Sequence, residues 1–324
     1  MDKIIILLLV IFSLIGCKDN QVNASLTEQP KMKIEEELSE IFPEPKVKIK
    51  TVGILMYDGF ANLDAIGPYA VFTSLMETDV FFVGMHKGLV KDARGMKVQV
   101  DTTINDVKKL DILIIPGGFK ETYDLTKNEK LLHWIRSIDS TSTYTASVCT
   151  GAWILGATGL LQDKKATTHW YGKKLLEENY GAKIQNTRYT HSGKYWTSAG
   201  VTAGMDMSLA MLKEIAGENY TKVVMLDLEY DPKPPIKGGS VTNTDKRIVN
   251  ALRGMYDSGM QTVLNPEEKN LNIKTDNKKD PVCKMNITNN VSDTIHYKQQ
   301  ILGFCSSTCK DLFKKNPSSF STKK

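Results

Sequence analysis

Thr145-Ala146-Ser147-Val148-Cys149-Thr150-Gly151-Ala152 is the stretch that decides the fold. The residues up to Val148 read as a short buried strand, and Gly151 through Thr158 read as the start of an apolar helix. Cys149 therefore stands at a strand-to-helix turn. Such a turn presents one side chain at the carboxyl edge of a sheet and points a helix N-terminus at it. Backbone N–H groups and the helix dipole there favour a thiolate and stabilise a developing anion. The competing reading is a small buried cysteine that only packs.

On either side of this turn the chain alternates strand and helix patterns. Val52–Met56 is an apolar strand stopped by Tyr57-Asp58-Gly59, and Leu63-Asp64-Ala65-Ile66-Gly67-Pro68 leads into a helix reaching about Leu75. Val80–Gly84 and Asp111–Ile115 are further strands, the latter ending in Pro116-Gly117-Gly118. Lys87–Asp101 reads as a hairpin excursion around Arg94-Gly95, and Glu129–Ile138 has helical periodicity. After the cysteine turn, Trp170–Asn179 is helical, and Arg188–His191 pairs with Lys194–Thr197 across Ser192-Gly193. Helices are expected over Gly204–Ala216, Asn219–Leu228 and Asp245–Tyr256, with a stiff extended loop at Tyr230-Asp231-Pro232-Lys233-Pro234-Pro235. This alternation predicts an α/β fold with a mostly parallel sheet covered by helices on both faces.

The ends of the chain differ from this core. Ile4 to Ile15 is an apolar run followed by Gly16-Cys17, too short for a membrane span of about 20 residues but right for a secretory signal. Leu14-Ile15-Gly16-Cys17 resembles a bacterial lipobox, which implies acylation of Cys17 and anchoring of an extracytoplasmic protein to the membrane of a bacterial cell envelope. An ordinary signal peptide with an incidental cysteine is the alternative. Residues 18–47 are polar, with Pro30, Pro43 and Pro45, and read as a tether with one short helix around Ile34–Ile41. The expected organisation is a signal at 1–17, the tether at 18–47, the main domain at 48–257, a linker at 258–279 and a small module at 280–320.

The formal net charge is +5, and residues 258–324 carry all of it with eleven lysines and six acidic residues. The remainder balances at 31 basic and 31 acidic residues. No arginine-rich or aromatic-interleaved pattern accompanies the lysines, so nucleic acid is not an expected partner.

The residues Ala146-Ser147-Val148-Cys149-Thr150-Gly151-Ala152, Pro116-Gly117-Gly118 and Leu63-Asp64-Ala65-Ile66-Gly67-Pro68 resemble the DJ-1/PfpI superfamily, the class I glutamine amidotransferase-like, flavodoxin-like fold, over about residues 50–257. Thr150 stands where its intracellular proteases carry a histidine. Thr167-Thr168-His169-Trp170, Gly200-Val201-Thr202-Ala203-Gly204 and Leu228-Glu229-Tyr230-Asp231-Pro232-Lys233-Pro234-Pro235 resemble the isonitrile hydratase subgroup. The resemblance implies a lyase that adds water to a small isonitrile, with no cofactor in the catalytic domain and a homodimeric assembly. Cys149 would be the nucleophile, Asp64 its proton partner, Thr150 a hydroxyl or N–H donor, and Asp231 a second acid/base group or a water-orienting one. Gly117 and Gly118 offer N–H groups for an oxyanion hole, and His169 is a secondary candidate. Each has a plain counterpart: Asp64 as a helix cap, Thr150 as a first-turn residue, Asp231 as a turn former, His169 as a packed ring, the glycines as turn residues.

The tail sequence Asp280-Pro281-Val282-Cys283-Lys284-Met285, with His296-Tyr297, Phe304-Cys305-Ser306-Ser307-Thr308-Cys309, Phe313 and Pro317, resembles a YHS domain, departing at Gly303, where many members carry an aromatic residue. Modules below about 40–50 residues need a staple, and thiolates on a metal provide one. Cys283, Cys305 and Cys309, with His296 as a fourth ligand, would suit Zn²⁺ or Cu(I). A disulfide with one cysteine left over is the alternative in an oxidising compartment. Two other functions compete with the enzyme: a non-catalytic lipoprotein sensing redox state through Cys149 or metal through the tail, and a stress-response deglycase or chaperone.

Overall fold

A computed structural model describes residues 37–264, 274–288, 291 and 293–320, with the side chains of 261–264 and Ser307 left aside. Cys17, the lipobox and most of the tether lie outside the described residues. Residues 37–41 are helical, the described part of the short helix expected there. From Phe42 the chain belongs to the main body. Phe42 packs edge-on against Tyr220 at 5.4 Å, and the Lys46 N–H donates to the Ile215 carbonyl at 2.8 Å. The segment 42–47, read from sequence as tether, is therefore docked.

The main domain runs β1 (Thr51–Met56), α1 (Asn62–Phe72), β2 (Asp79–Gly84), β3 (Gly88–Lys91), β4 (Lys97–Val100), β5 (Thr102–Thr103) and β6 (Ile112–Ile115). It continues through α2 (Lys120–Leu125), α3 (Glu129–Asp139), β7 (Tyr144–Val148), α4 (Gly151–Ala157) and β8 (Lys165–Ala166). A 3₁₀ turn (Trp170–Gly172) leads into α5 (Lys173–Tyr180), then β9 (Lys183–Ile184), β10 (Tyr189–Ser192), β11 (Tyr195–Ser198), α6 (Ala203–Ala216), α7 (Glu218–Asp227) and α8 (Lys246–Leu264). The seven-stranded central sheet has the order β10-β11-β7-β6-β1-β2-β5 and is parallel except for β10. β6 and β7 are buried along their whole length, as central strands of a sheet covered on both faces must be. α3 presents Leu131, Leu132, Ile135 and Ile138 as one buried stripe, and its N-cap Asn128 accepts from the Leu131 N–H. Met207 and Met211 of α6 are fully buried packing residues.

The alternation places the cysteine turn at the carboxyl end of β7, beside β6 on one side and β11 on the other. Gly151 is required there: a Cβ would lie 2.1 Å from the Ile115 carbonyl oxygen, because α4 starts directly against the end of β6. The β10–β11 hairpin differs from expectation by one residue. Ser192 pairs with Tyr195, so the turn is Gly193-Lys194, with Gly193 at φ +60°. The last helix also runs further than its pattern promised, to Leu264, into the stretch read as linker.

The tail forms a second small core. β12 (Asp293–Tyr297) and β13 (Gln300–Phe304) pair antiparallel, followed by α9 (Ser307–Lys315) and a 3₁₀ turn (Pro317–Phe320). Ile287, Phe304, Cys305, Cys309 and Phe313 are buried together. Gly303 has a local cause: a Cβ there would meet Thr275 at 2.8 Å and Ile287 at 2.9 Å, so an aromatic side chain would displace this core.

Candidate active site

Cys149 has φ +57°, the left-handed region that a non-glycine residue occupies at a cost of order 1–3 kcal/mol. The backbone around it holds that conformation. Its N–H donates to the Ser198 and Ala199 carbonyls at 3.1 and 3.2 Å, and its carbonyl accepts from the Thr168 hydroxyl at 2.6 Å. The side chain is buried, with 6 % exposure.

Asp64, in the first turn of α1, is fully buried. It does not cap that helix: the N-cap is Ala61, without a side-chain bond. Asp64 Oδ2 instead accepts from the Gly117 N–H at 3.1 Å, and Oδ1 is buried without a well-formed partner. Burial raises its pKa to about 7, against the opposing pull of the Gly117 N–H, the Cys149 thiol and the Val201 N–H. Val201, a β-branched residue at φ +48°, is a second strained position aimed at this carboxyl.

The thiol is not the preformed thiolate that the helix N-terminus led us to expect. Burial, and then the charge of Asp64, push the Cys149 pKa well above its ordinary value, and the N–H and hydroxyl of Thr150 offset only part of this. At rest the pair is a protonated thiol beside a carboxyl that is half-ionised near neutral pH.

The other expected site residues divide. The Thr150 hydroxyl accepts from the Gly118 N–H at 3.0 Å and donates to the Gly118 carbonyl at 2.8 Å, so it clamps the two loops together while its own N–H serves the sulfur. Gly117 and Gly118 do not form an oxyanion hole: their N–H groups are engaged by Asp64 and Thr150. Their lack of a side chain is a packing need, since a Cβ on Gly117 would lie 2.6 Å from the Thr150 nitrogen. His169 is present but neutral, its pKa lowered to about 4 by burial, and its ring packs 5.7 Å from Tyr256. Asp231 is not brought to the site. It is exposed and ion-paired with Lys233 at 2.6 Å, because the preceding Tyr230 is tied through its hydroxyl to Asp206 while the proline loop runs outward. Sequence reasoning missed Tyr57, whose pKa is raised by burial and, after that, by the charges of Asp64 and Cys149. It also missed Tyr256, which burial and then Cys149 affect in the same way. The signal for Tyr256 is only that it is the one aromatic residue of its helix.

In the tail, Cys283 Sγ lies 3.3 Å from Cys305 Sγ, which lies 3.6 Å from Cys309 Sγ. The described cysteines are all unbridged. The group that lies with the three sulfurs is Asp280, not His296: the sulfurs and a carboxylate oxygen of Asp280 lie within 4.8 Å of one another, an arrangement that could hold a metal ion. His296 is exposed on β12, where strand alternation turns it away from the buried face. Asp280 is fully buried, accepting from the N–H groups of Val282 and Cys305, both at 2.7 Å. The hydrogen bond with Cys309 lowers the Cys305 pKa to about 7, while burial pushes Cys283 up to about 11. Tetrahedral zinc at about 2.3 Å from each sulfur separates sulfurs by about 3.8 Å, so the donor set and its spacing fit a soft cation.

Residues 50–214 match the DJ-1/PfpI family model. The chain is 37 % identical over 202 residues to isonitrile hydratase from Pseudomonas putida, covering 62 % of this chain and 88 % of that protein. It is 30 % identical over 131 residues to the HTH-type transcriptional regulator CdhR of Pseudomonas aeruginosa, which covers 40 % of this chain and 38 % of the regulator. Among solved structures, a ThiJ/PfpI family protein from Pseudomonas syringae superposes with a TM-score of 0.64 at 29 % identity, over 71 % of this chain and 93 % of that one. Drosophila melanogaster DJ-1beta, at 22 % identity and a TM-score of 0.51, shares the fold over 56 % of this chain and 98 % of its own.

Proposed function

This chain belongs to the DJ-1/PfpI family, and on that premise we propose that it is a cysteine-dependent hydratase of a small isonitrile or related C–N substrate. The observation that carries the reading is the buried Asp64 beside the Cys149 thiol, with a pKa of about 7. An isonitrile carbon accepts a nucleophile only as a proton is delivered to it, so the site must take a proton from sulfur and return it to the substrate. Ionised Asp64 removes the thiol proton as the sulfur bonds to the carbon, and the resulting acid protonates that carbon, giving a thioimidate. Water then adds to the same carbon, with Asp64 taking one of its protons and passing it to the imine nitrogen, and the remaining hydroxyl proton is carried by Asp64 to the departing sulfur. The proton returns as the C–S bond breaks, releasing the N-substituted formamide and the free thiol. Atoms balance as isonitrile plus water.

A thiol sensor would favour an exposed, low-pKa cysteine. Cys149 has the opposite properties, which weighs against the sensory reading; the catalytic reading rests instead on the Asp64 carboxyl that can take the thiol proton. We read the tail cluster as a Zn²⁺ or Cu(I) site held by Cys283, Cys305 and Cys309 with Asp280 beside them, stapling a YHS-like module. The apolar leader and Gly16-Cys17 support an acylated, envelope-anchored protein. Among the described residues no helix is long and apolar enough to cross a membrane. The homodimer stays part of this proposal. Formamide production from a simple isonitrile, compared between wild type and Cys149→Ala, tests the mechanism. Activity that survives in the variant would rule out covalent catalysis by Cys149, and absence of turnover with the wild type would remove the named reaction.

A further inference from the structure

Helix α8 lies beyond the family-matched segment, yet it packs on the two segments that flank the cysteine turn. The Tyr256 ring centre is 5.4 Å from Phe119 and 5.7 Å from His169, with Trp170 and Tyr171 at 5.7 and 5.0 Å. Phe119 follows Gly118, whose peptide groups bond both ways to Thr150. His169 follows Thr168, whose hydroxyl bonds to the Cys149 carbonyl. Tyr256 is thus wedged between the two segments that grip Cys149 and Thr150. One turn on, Gly259 lets Phe119 lie directly against the helix: a Cβ there would be 2.5 Å from its ring. Met260 is fully buried in the main core.

Residues 254 and 258 lie about half a turn around the helix from 256 and 260, and so face away from the cysteine turn. On that side α8 carries the tail. A Cβ on Gly254 would lie 3.0 Å from the Thr308 hydroxyl, so α9 packs against bare backbone. Ser258 is buried, and its hydroxyl hydrogen-bonds Cys305 of the thiol cluster.

We propose that Tyr256 is a positioning residue of the Cys149 site, its ring covering the approach to the sulfur, and that the tail module holds it there through the Gly254 and Ser258 face of α8. The two thiol centres then share one helix: one face covers the first, the other rests on the second. This makes the tail a structural requirement of the main site, whatever substrate that site takes. It does not rest on the isonitrile reading or on a bound metal.

The test is the rate at which iodoacetamide alkylates Cys149 in the folded full chain, read by mass spectrometry of the Cys149 peptide so that tail thiols do not interfere. Tyr256→Ala is expected to raise the rate by about tenfold, the scale of losing a local cover, and Tyr256→Phe to leave it unchanged because the ring is kept. Gly254→Val and Ser258→Ala touch only the tail face and are expected to raise it by about threefold or more. An unchanged rate in Tyr256→Ala overturns the covering role. A raised rate in Tyr256→Ala with wild-type rates in both tail-face variants overturns the hold by the tail. Circular dichroism verifies folding, and Ser258→Ala, the smaller change, decides if Gly254→Val does not fold.

Discussion

Replacing Asp64 by Asn should change how stability depends on pH, in a direction the structure fixes. The carboxyl is ordinary in the unfolded chain, with a pKa of 3.8, and is raised to about 7 in the fold. Below the first value both states are protonated and the group contributes nothing. Between the two values the unfolded chain loses its proton first, so stability falls as pH rises. Above about 7 the full cost is present. At 1.36 kcal/mol for each pKa unit the cost is about 4 kcal/mol, and more than half of it develops between pH 5 and pH 8. Asn cannot ionise, and its side-chain oxygen still accepts from the Gly117 N–H. Urea unfolding of both proteins from pH 5 to pH 8 isolates the effect, because the other ionisations cancel in the difference. Burial keeps the Cys149 thiol of the folded wild type protonated throughout this range. The Asn variant should gain on the wild type steadily up to about pH 7 and then hold its advantage. Parallel stability profiles would refute the buried-carboxyl argument. The same titration should appear in turnover: kcat/KM of the wild type rises with pH through about 7 as Asp64 becomes able to accept the thiol proton.

Four further outcomes follow from the site and its surroundings. Thr150→Ala loses both bonds to Gly118 and should cost about 1–3 kcal/mol in urea unfolding, while Thr150→Ser should keep most of that stability. Asp231→Asn should leave isonitrile turnover within about twofold of wild type, since the carboxylate is exposed and paired with Lys233; a loss of about a hundredfold would restore its acid/base role. Gly151→Ala should destabilise the main domain by about 3 kcal/mol, visible as a lower urea midpoint, because the new methyl group meets the Ile115 carbonyl. In competition with a chromophoric chelator, Asp280→Asn should weaken Zn²⁺ binding by about tenfold or more and His296→Ala should leave it unchanged.

The fold was legible because its signals are local. Apolar runs such as Ile112–Ile115, stopped by Pro116-Gly117-Gly118, announce buried parallel strands, and the cysteine turn sits where β7 meets α4. The identity of the pair Cys149 and Asp64 was also within reach, because both follow strands of one sheet and must meet at its carboxyl edge. What each donor does was not. Whether the Gly117 and Gly118 N–H groups are free depends on side chains 53 and 32 residues away, a property of tertiary contact. The thiol's protonation is hidden from the sequence for a related reason: a helix N-terminus is visible there, whereas the burial that outweighs it is not. Asp231 and His296 were named from their motifs, but the run of prolines and the strand alternation turn them outward. Tyr256 was overlooked because a helix after a proline-rich loop gives no hint of which site it will roof.

The spent amides of Gly117 and Gly118 bear on which reactions would suit this carboxyl-edge site. Hydrolysis of a peptide or ester builds charge on a carbonyl oxygen, and an enzyme for it aims free amide donors at that oxygen. Here these two amides serve a carboxylate and a hydroxyl of the protein itself, so an oxyanion at this loop would have to compete for bonds already made. An isonitrile places no oxygen at the reacting carbon until water arrives, and its first need is a proton rather than a cradle. On the proposed reading, the direction of two N–H bonds, together with Thr150 in place of the protease histidine, suits proton-coupled addition better than acyl transfer.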